Sequence, residues 1–309
     1  MAIAHTLANT ALFRDWLATT SYSSNWTGDD ASIRRLLESA TQEIEDYCGG
    51  NGSFGPWKME LLWDLGASES RVRDDKRNRL ENGSFPDRMS IPWLISVSSA
   101  VLYDDTSRTS SQTLTEGTDY YLTPYANWPV SFHGSAPYTG IKLVDTGGNI
   151  DIFGKTGQRV LSITGDYGWQ NETKDTGTTA TVGSTTGTAI TVASSSDLSA
   201  GMTLKAGSEL LYCESVTNST TIVCTRGAAG TTATTHSTAA LSELVYPPVL
   251  VSAALNLARI GWTERVGGMN EEISAGSNTT ITALDVERRS VLHSIDAYAT
   301  HSANQAVTF

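Results

Sequence analysis

Cys213 and Cys224 flank the stretch "ESVTNSTTIV", whose centre "TNST" has the composition of a hairpin turn. A turn centred on Asn218 and Ser219 sets the two thiols opposite each other on neighbouring strands, with their sulfurs on one face. Two readings stay open for such a pair: a cross-strand disulfide or redox latch, or two small apolar thiols buried in a reducing compartment. With Cys48 the thiols number three, an odd count that builds no disulfide framework and lacks the close pairs of a structural zinc site.

Other residues capable of chemistry are dispersed. His293 and His301 are eight residues apart at the end of the chain, while His5, His133 and His236 stand alone, and none has further metal ligands close by in sequence. Asp104 and Asp105 are adjacent, so on a strand they point to opposite sides and cannot flank one bond as paired carboxylates do. Asp119, Asp166 and Glu264 fit turns or solvated faces as well as they fit acid/base work. No phosphate-cradling glycine loop, G-x-S-x-G elbow or H-E-x-x-H is present. The expectation is a protein that is not an enzyme, with no catalytic, metal or cofactor site.

Composition bounds what such residues serve. The 309 residues suffice for one large core or two smaller ones, since domains commonly hold about 100 to 200 residues. Against 33 acidic residues stand 21 basic ones, a net charge of -12, which disfavours a general nucleic-acid or anionic-membrane binder and makes any DNA contact passive. The start of the chain lacks a basic region leading into an apolar stretch, and nowhere do about eighteen apolar residues run together, so neither a standard secretion signal nor a membrane span is expected.

The first strong element is "DDASIRRLLESATQEIEDYCGG". Ile33, Leu36, Leu37, Ala40, Ile44, Tyr47 and Cys48 recur there at helical spacing, Asp29, Asp30 and Ser32 are candidate caps, and Gly49 is a left-handed exit. Leu12, Phe13, Trp16 and Leu17 indicate a shorter helix upstream. Residues 50–90, with "WKMELLWDL" and a charge-rich run, read as a long loop with one short helix. From residue 90 the runs "MSIPWLISVSSAVLYDD", "LTEGTDYYLTPY", "YTGIKLV" and "QRVLSITGDYGW" read as an antiparallel sheet of about four strands. "YPPVLVSAALNLARIGW" reads as a helix opening on Pro247 and Pro248.

Residues 176–243 differ from both flanks, being rich in Thr, Ser, Gly and Ala and free of tryptophan. "TAITVASS", "MTLKAG", "ELLYCESV" and "TTIVCTRG" alternate as strands do, which predicts a folded β module whose two ends lie close together. The last segment begins with a Gly-Gly joint; Thr282 and Asp285 form a candidate capping box, and Leu284, Val291, Leu292, Ile295 and Tyr298 mark one face of a final helix, which must bury that stripe against the chain's own core or a partner.

Taken in order, "DDASIRRLLESATQEIEDYCG", "LTEGTDYYLTPY", "VLSITGDYGW" and "PPVLVSAALNLARIGW" resemble the head-tail connector, or adaptor, proteins of tailed bacteriophages. Ala40 and Ile44 match that family's helix core, and Thr164, Gly165, Tyr167 and Gly168 match its Tyr-Gly strand ending. The resemblance covers roughly residues 5–170 and 245–300, and "LDVERRSVLHSIDAY" is similar to a terminal helix of some members. The chain departs from the pattern at residues 171–245, where a β module that resembles decorations of phage structural proteins stands in place of a short turn.

The resemblance implies an α+β fold: a helical adaptor core with a small antiparallel sheet over residues 1–175 and a closing helix at 244–266, an inserted all-β domain at 176–243, and a helical tail at 267–309. It implies a ring of about twelve subunits beneath the portal, in the virion neck, assembled in the host cytoplasm. Its expected partners are other copies of itself, the portal protein, a tail-side neck or tail terminator protein and, passively, the double-stranded DNA that passes at packaging and ejection, with no membrane. An acidic lumen would repel the phosphate backbone. Ring closure needs two different patches that meet, and Arg34 and Arg35 against Glu38, Glu43 and Glu45 are the candidate subunit interface. Val291, Leu292, Ile295 and Tyr298 are the candidate surface for docking to the portal or a neighbour. The rival reading is a glycan-binding or adhesin decoration acting through the β module, with Tyr212 stacking on sugar.

Overall fold

The computed structural model describes residues 5–19, 29–48, 54–65, 88–103, 107–123, 137–143, 157–169, 171–269 and 278–298. These hold four α-helices and twelve strands and separate into two compact units, one of helices with a β-barrel and one built on a sheet. The expected helical adaptor core with a small sheet is overturned, because strand outweighs helix and the barrel is closed. Much of the difference lies at "WKMELLWDL", where local composition predicts loop and a short helix and the structure has a strand. Its register against residues 157–167 continues a sheet of six strands, and the cross-strand ladder overrides local composition.

The sheet unit is antiparallel throughout, in the order β1 (Trp57–Leu65), β6 (Gly157–Tyr167), β2 (Arg88–Tyr103), β5 (Tyr138–Leu143), β4 (Tyr120–Thr123), with β3 (Ser111–Leu114) also on β2. Ile91, Leu94, Leu102, Tyr120, Ile141, Leu161, Ile163 and Tyr167 form its core. β2 is long enough to serve three neighbours but not regular: its register on β5 slips between Ser90 and Leu94, around Pro92, which has no N–H to give a ladder. Two further slips against β6, between Leu94 and Ser96 and between Val97 and Ser99, push the Ser96 carbonyl towards Gly165. A Cβ there would sit 2.2 Å from that oxygen, and one on Gly168 would sit 2.3 Å from the Gly55 carbonyl. Those close approaches account for both glycines of the "TGDYG" ending. Beside them Phe54, Trp93 and Trp169 pack ring against ring, Trp93 and Trp169 edge-on at 4.9 Å between centroids.

In the other unit, α1 (Thr10–Thr19) buries Phe13 and Leu17. In α2 (Asp30–Tyr47) Ile33, Leu37, Ala40 and Ile44 are buried, and the Asp29 carboxylate caps the helix by accepting from the Ser32 amide at 2.7 Å. Gly49 lies outside the described residues. The barrel closes in the order β10 (Glu209–Asn218), β11 (Thr221–Thr225), β8 (Ala189–Val192), β7 (Thr173–Val182), β12 (His236–Leu244), β9 (Thr203–Ala206) and back to β10. The four expected strands are there; the sequence reading missed β7 and β12, whose "TKDTGTTATV" and "HSTAALSEL" are mostly small and polar because few of their residues face inward. Thr173 pairs with Leu244, and the Val245 amide donates to the Glu172 carbonyl at 3.1 Å, so the chain enters and leaves the barrel at one place.

α3 (Pro248–Met269) buries Leu250, Ala253, Ala254, Leu255, Leu257, Ala258 and Ile260, which lie on more than one face. It packs on α2, where Leu36 Cδ2 lies 3.6 Å from the position a Cβ on Gly261 would take. α4 (Asn278–His293) packs on α3. Thr282 and Asp285 fall inside α4, so they are not its capping box; the helix begins about one turn before Thr282. Among the described residues no helix is long and apolar enough to cross a membrane.

Candidate functional site

Two arginines tie the helices together. Arg288 on α4 reaches Glu43 on α2 through Nε at 3.2 Å and Glu264 on α3 through Nη2 at 3.0 Å. Arg259, itself buried in α3, donates to Glu287 on α4. Burial pushes the Glu43 carboxyl above its ordinary range; Arg288 pulls it back and the nearby Glu264 adds to the rise. Glu264, one of the acid/base candidates, is thus a structural counter-charge. Tyr47 at the end of α2 donates to Asp296, which also accepts from His293 at 3.1 Å; that hydrogen bond from Tyr47 holds Asp296 below its usual range.

The interface candidates divide. Arg34 lies 3.4 Å from Glu38 and donates to the Glu214 carbonyl of β10 at 3.2 Å. Glu38 also accepts from the Tyr212 hydroxyl at 2.8 Å, Glu43 is held by Arg288, and Glu45 faces His5 at 3.0 Å. Arg35 alone of the five is exposed with no ion pair among the described residues. Of the docking stripe, Ile295 is fully buried within this chain, whereas Val291, Leu292 and Tyr298 are half-buried. Tyr212, the proposed sugar platform, is buried beneath α2 and cannot stack on a ligand. That contact also explains why "ELLYC" is buried on both faces of β10: Leu211 and Cys213 point into the barrel, and Tyr212 is covered by the helix.

At one end of the barrel Glu209 is fully buried and accepts two bonds from Arg226, at 2.7 and 2.9 Å, with others from the Gly227 and Thr234 amides and a contact to His236 at 3.0 Å. Burial alone would raise this carboxyl; the bonds from Arg226, Thr234, Gly227 and His236 overcome it and hold the group at about 2. Arg226 spends its remaining N–H groups on the carbonyls of Ser184, Gly187 and Thr234. The network is fully satisfied and fixes the β11–β12 connection; nothing in sequence spacing marks it, since His236 is 27 residues from Glu209 and Ser184 is 42 from Arg226, and the barrel brings them together.

A cleft of about 610 Å³ opens among the N-terminal segment and α1 (Leu7, Leu12, Asp15), the barrel (Asp175, Asp197) and the loop before α3 (Tyr246). Its half-buried Glu243 accepts from Asn9 at 3.0 Å. Among the described residues no three His, Cys, Asp or Glu side chains group so as to hold a metal. Asp119 caps its own turn by accepting from the Thr115 amide at 2.7 Å, and Asp166 accepts from Ser96 at 3.1 Å. Asp104, Asp105, His133 and His301 lie outside the described residues.

The chain matches no family model, no curated protein and no solved structure.

Proposed function

We propose that the protein is a structural head-tail connector of a tailed bacteriophage, acting as a ring beneath the portal through which double-stranded DNA passes. The observation that supports this reading is the packing of α2 on α3. These two helices are the first and last of the four segments that carry the connector resemblance, they are far apart in the chain, and they pack on each other. The net charge of -12 suits a component that must let a polyanion slide past without adhering.

Ring closure brings one patch of each subunit against a different patch of the next, and Arg35, exposed on α2, is the residue left to make such a contact. Negative-stain images and native mass spectra of the purified protein, alone and mixed with portal protein, test the proposal. Closed rings are the expected result, and Arg35→Glu should weaken them while leaving the melting temperature of the free subunit unchanged. A protein that stays monomeric by itself and with the portal overturns the connector reading.

A further inference from the structure

The three cysteines are buried free thiols, and two of them are placed for a reaction. Cys213 and Cys224 are paired residues of β10 and β11, both fully buried in the barrel core beside Leu211, Ile222 and Leu241. The backbone fixes how close they come. The Cys213 amide donates to Met202 at 2.8 Å, its carbonyl accepts from Gly201 at 2.8 Å, and the Cys224 amide donates to Thr188 at 2.9 Å. All three groups therefore bond away from the partner cysteine, which identifies a non-hydrogen-bonded cross-strand pair. In such pairs the Cα atoms stand about 4.5 Å apart and the side chains are at their closest. That separation falls within the range a disulfide spans, about 4.4 to 6.8 Å.

The register is specifically adjusted to bring these two residues together. From the turn, Asn218 pairs with Thr221, and an unbroken ladder would then set Ser215 opposite Cys224. Two extra residues on β10, one between Asn218 and Val216 and one between Ser215 and Cys213, shift the register until Cys213 takes that place. The second of these bulged residues is Glu214, whose carbonyl, freed from the ladder, accepts from Arg34 of α2 at 3.2 Å. The helix thus supports the bulge that aligns the thiols.

We propose that Cys213 and Cys224 are a disulfide site that closes within the folded barrel under oxidising conditions and staples the β10–β11 hairpin. With hydrogen peroxide as oxidant, one thiol becomes a sulfenic acid with release of one water. The sulfur of the other thiol then attacks it, forming the S–S bond and releasing a second water, so that two thiols and one peroxide give one disulfide and two waters. The Cys213 hydrogen bond and burial both push the Cys224 thiol up, which keeps it protonated at neutral pH and makes closure slow.

The test uses the full-length native protein, reduced and then treated with hydrogen peroxide or with the azo oxidant diamide. Alkylation under denaturing conditions and peptide mapping without reductant should yield one intramolecular link between the peptides holding Cys213 and Cys224, with Cys48 still alkylatable. The melting temperature should rise by several degrees and return on adding reductant, and Cys213→Ala or Cys224→Ala should show no rise. Wild-type protein alone decides the matter if a variant fails to fold. Both thiols alkylated after native oxidation, a link only to Cys48 or another chain, a link that forms only after denaturation, or a link without a rise in melting temperature would each overturn the proposal.

Discussion

At the scale of single residues, the side chains that could do chemistry are mostly engaged with one another. Glu209 is the extreme case. Its carboxyl is held at about 2 against an ordinary 4.5, so the unfolded chain takes up its proton first as pH falls. The stability this group contributes is complete above about pH 4.5 and is lost as pH drops towards about 2. Glu209→Gln leaves Arg226, 6 % exposed, without its counter-charge, and should cost about 3–5 kcal/mol at neutral pH. Urea denaturation from pH 7 to pH 2 should show that gap narrowing through the same window. A gap independent of pH would mean that the ion pair is not what Glu209 provides. None of this could be read from the sequence, where Glu209, Arg226 and His236 are three unremarkable polar residues in a Thr-rich tract. The pairing of Cys213 with Cys224, by contrast, was readable from a short turn, although the turn is one residue later than expected and two bulges make up the difference.

At the scale of elements, periodicity identified what local pattern decides and failed where tertiary pairing decides. α2 carries its stripe and its Asp29 cap in plain view, α1 its short stripe and α3 its opening prolines, and the strands β8 to β11 show their alternation. β1, β7 and β12 do not, since each is specified by the neighbour it pairs with. α3 is buried on more than one face, so Leu257, 2 % exposed, is a sharp probe of it. Leu257→Asp places an unpaired charge in that core, costs several kcal/mol and should abolish soluble expression; an unchanged melting temperature would place α3 at the surface. α4 holds to α2 and α3 through Arg288 and Glu287, and Ile295 just past its end is buried. Truncation after Met269 should therefore lower the melting temperature by leaving buried Arg259 without Glu287, and amides of residues 286–298 should exchange slowly in the free subunit. Fast exchange there would mean that α4 docks only in an assembly.

At the scale of the whole molecule, the module that looked inserted by composition is bound into the helical unit. Its two ends meet: Glu172 and Val245 are hydrogen-bonded, so excising residues 173–244 and joining those two leaves little gap to span. By that criterion alone the excision should be tolerated, as for any domain inserted where a loop leaves and returns. The bonds made by the barrel argue the other way. The Thr10 amide that opens α1 donates to Ala200 at 3.0 Å, the Thr6 hydroxyl to Gly201 at 2.6 Å and the Asn9 amide group to Glu243 at 3.0 Å. On α2, Arg34 and Glu38 lose Glu214 and Tyr212. Leu7 and Ala8, 2 % and 4 % exposed, border the same cleft as the barrel loop. The excised protein should thus lose the cooperative thermal transition of its helices by circular dichroism at 222 nm, roughly the helical minimum, while the sheet unit, which has a core of its own, should keep its near-ultraviolet tryptophan signal. Retention of a sharp helical transition at the original temperature would make the barrel a passive decoration. It would also return the helical layer to the self-sufficient role that the connector resemblance implies.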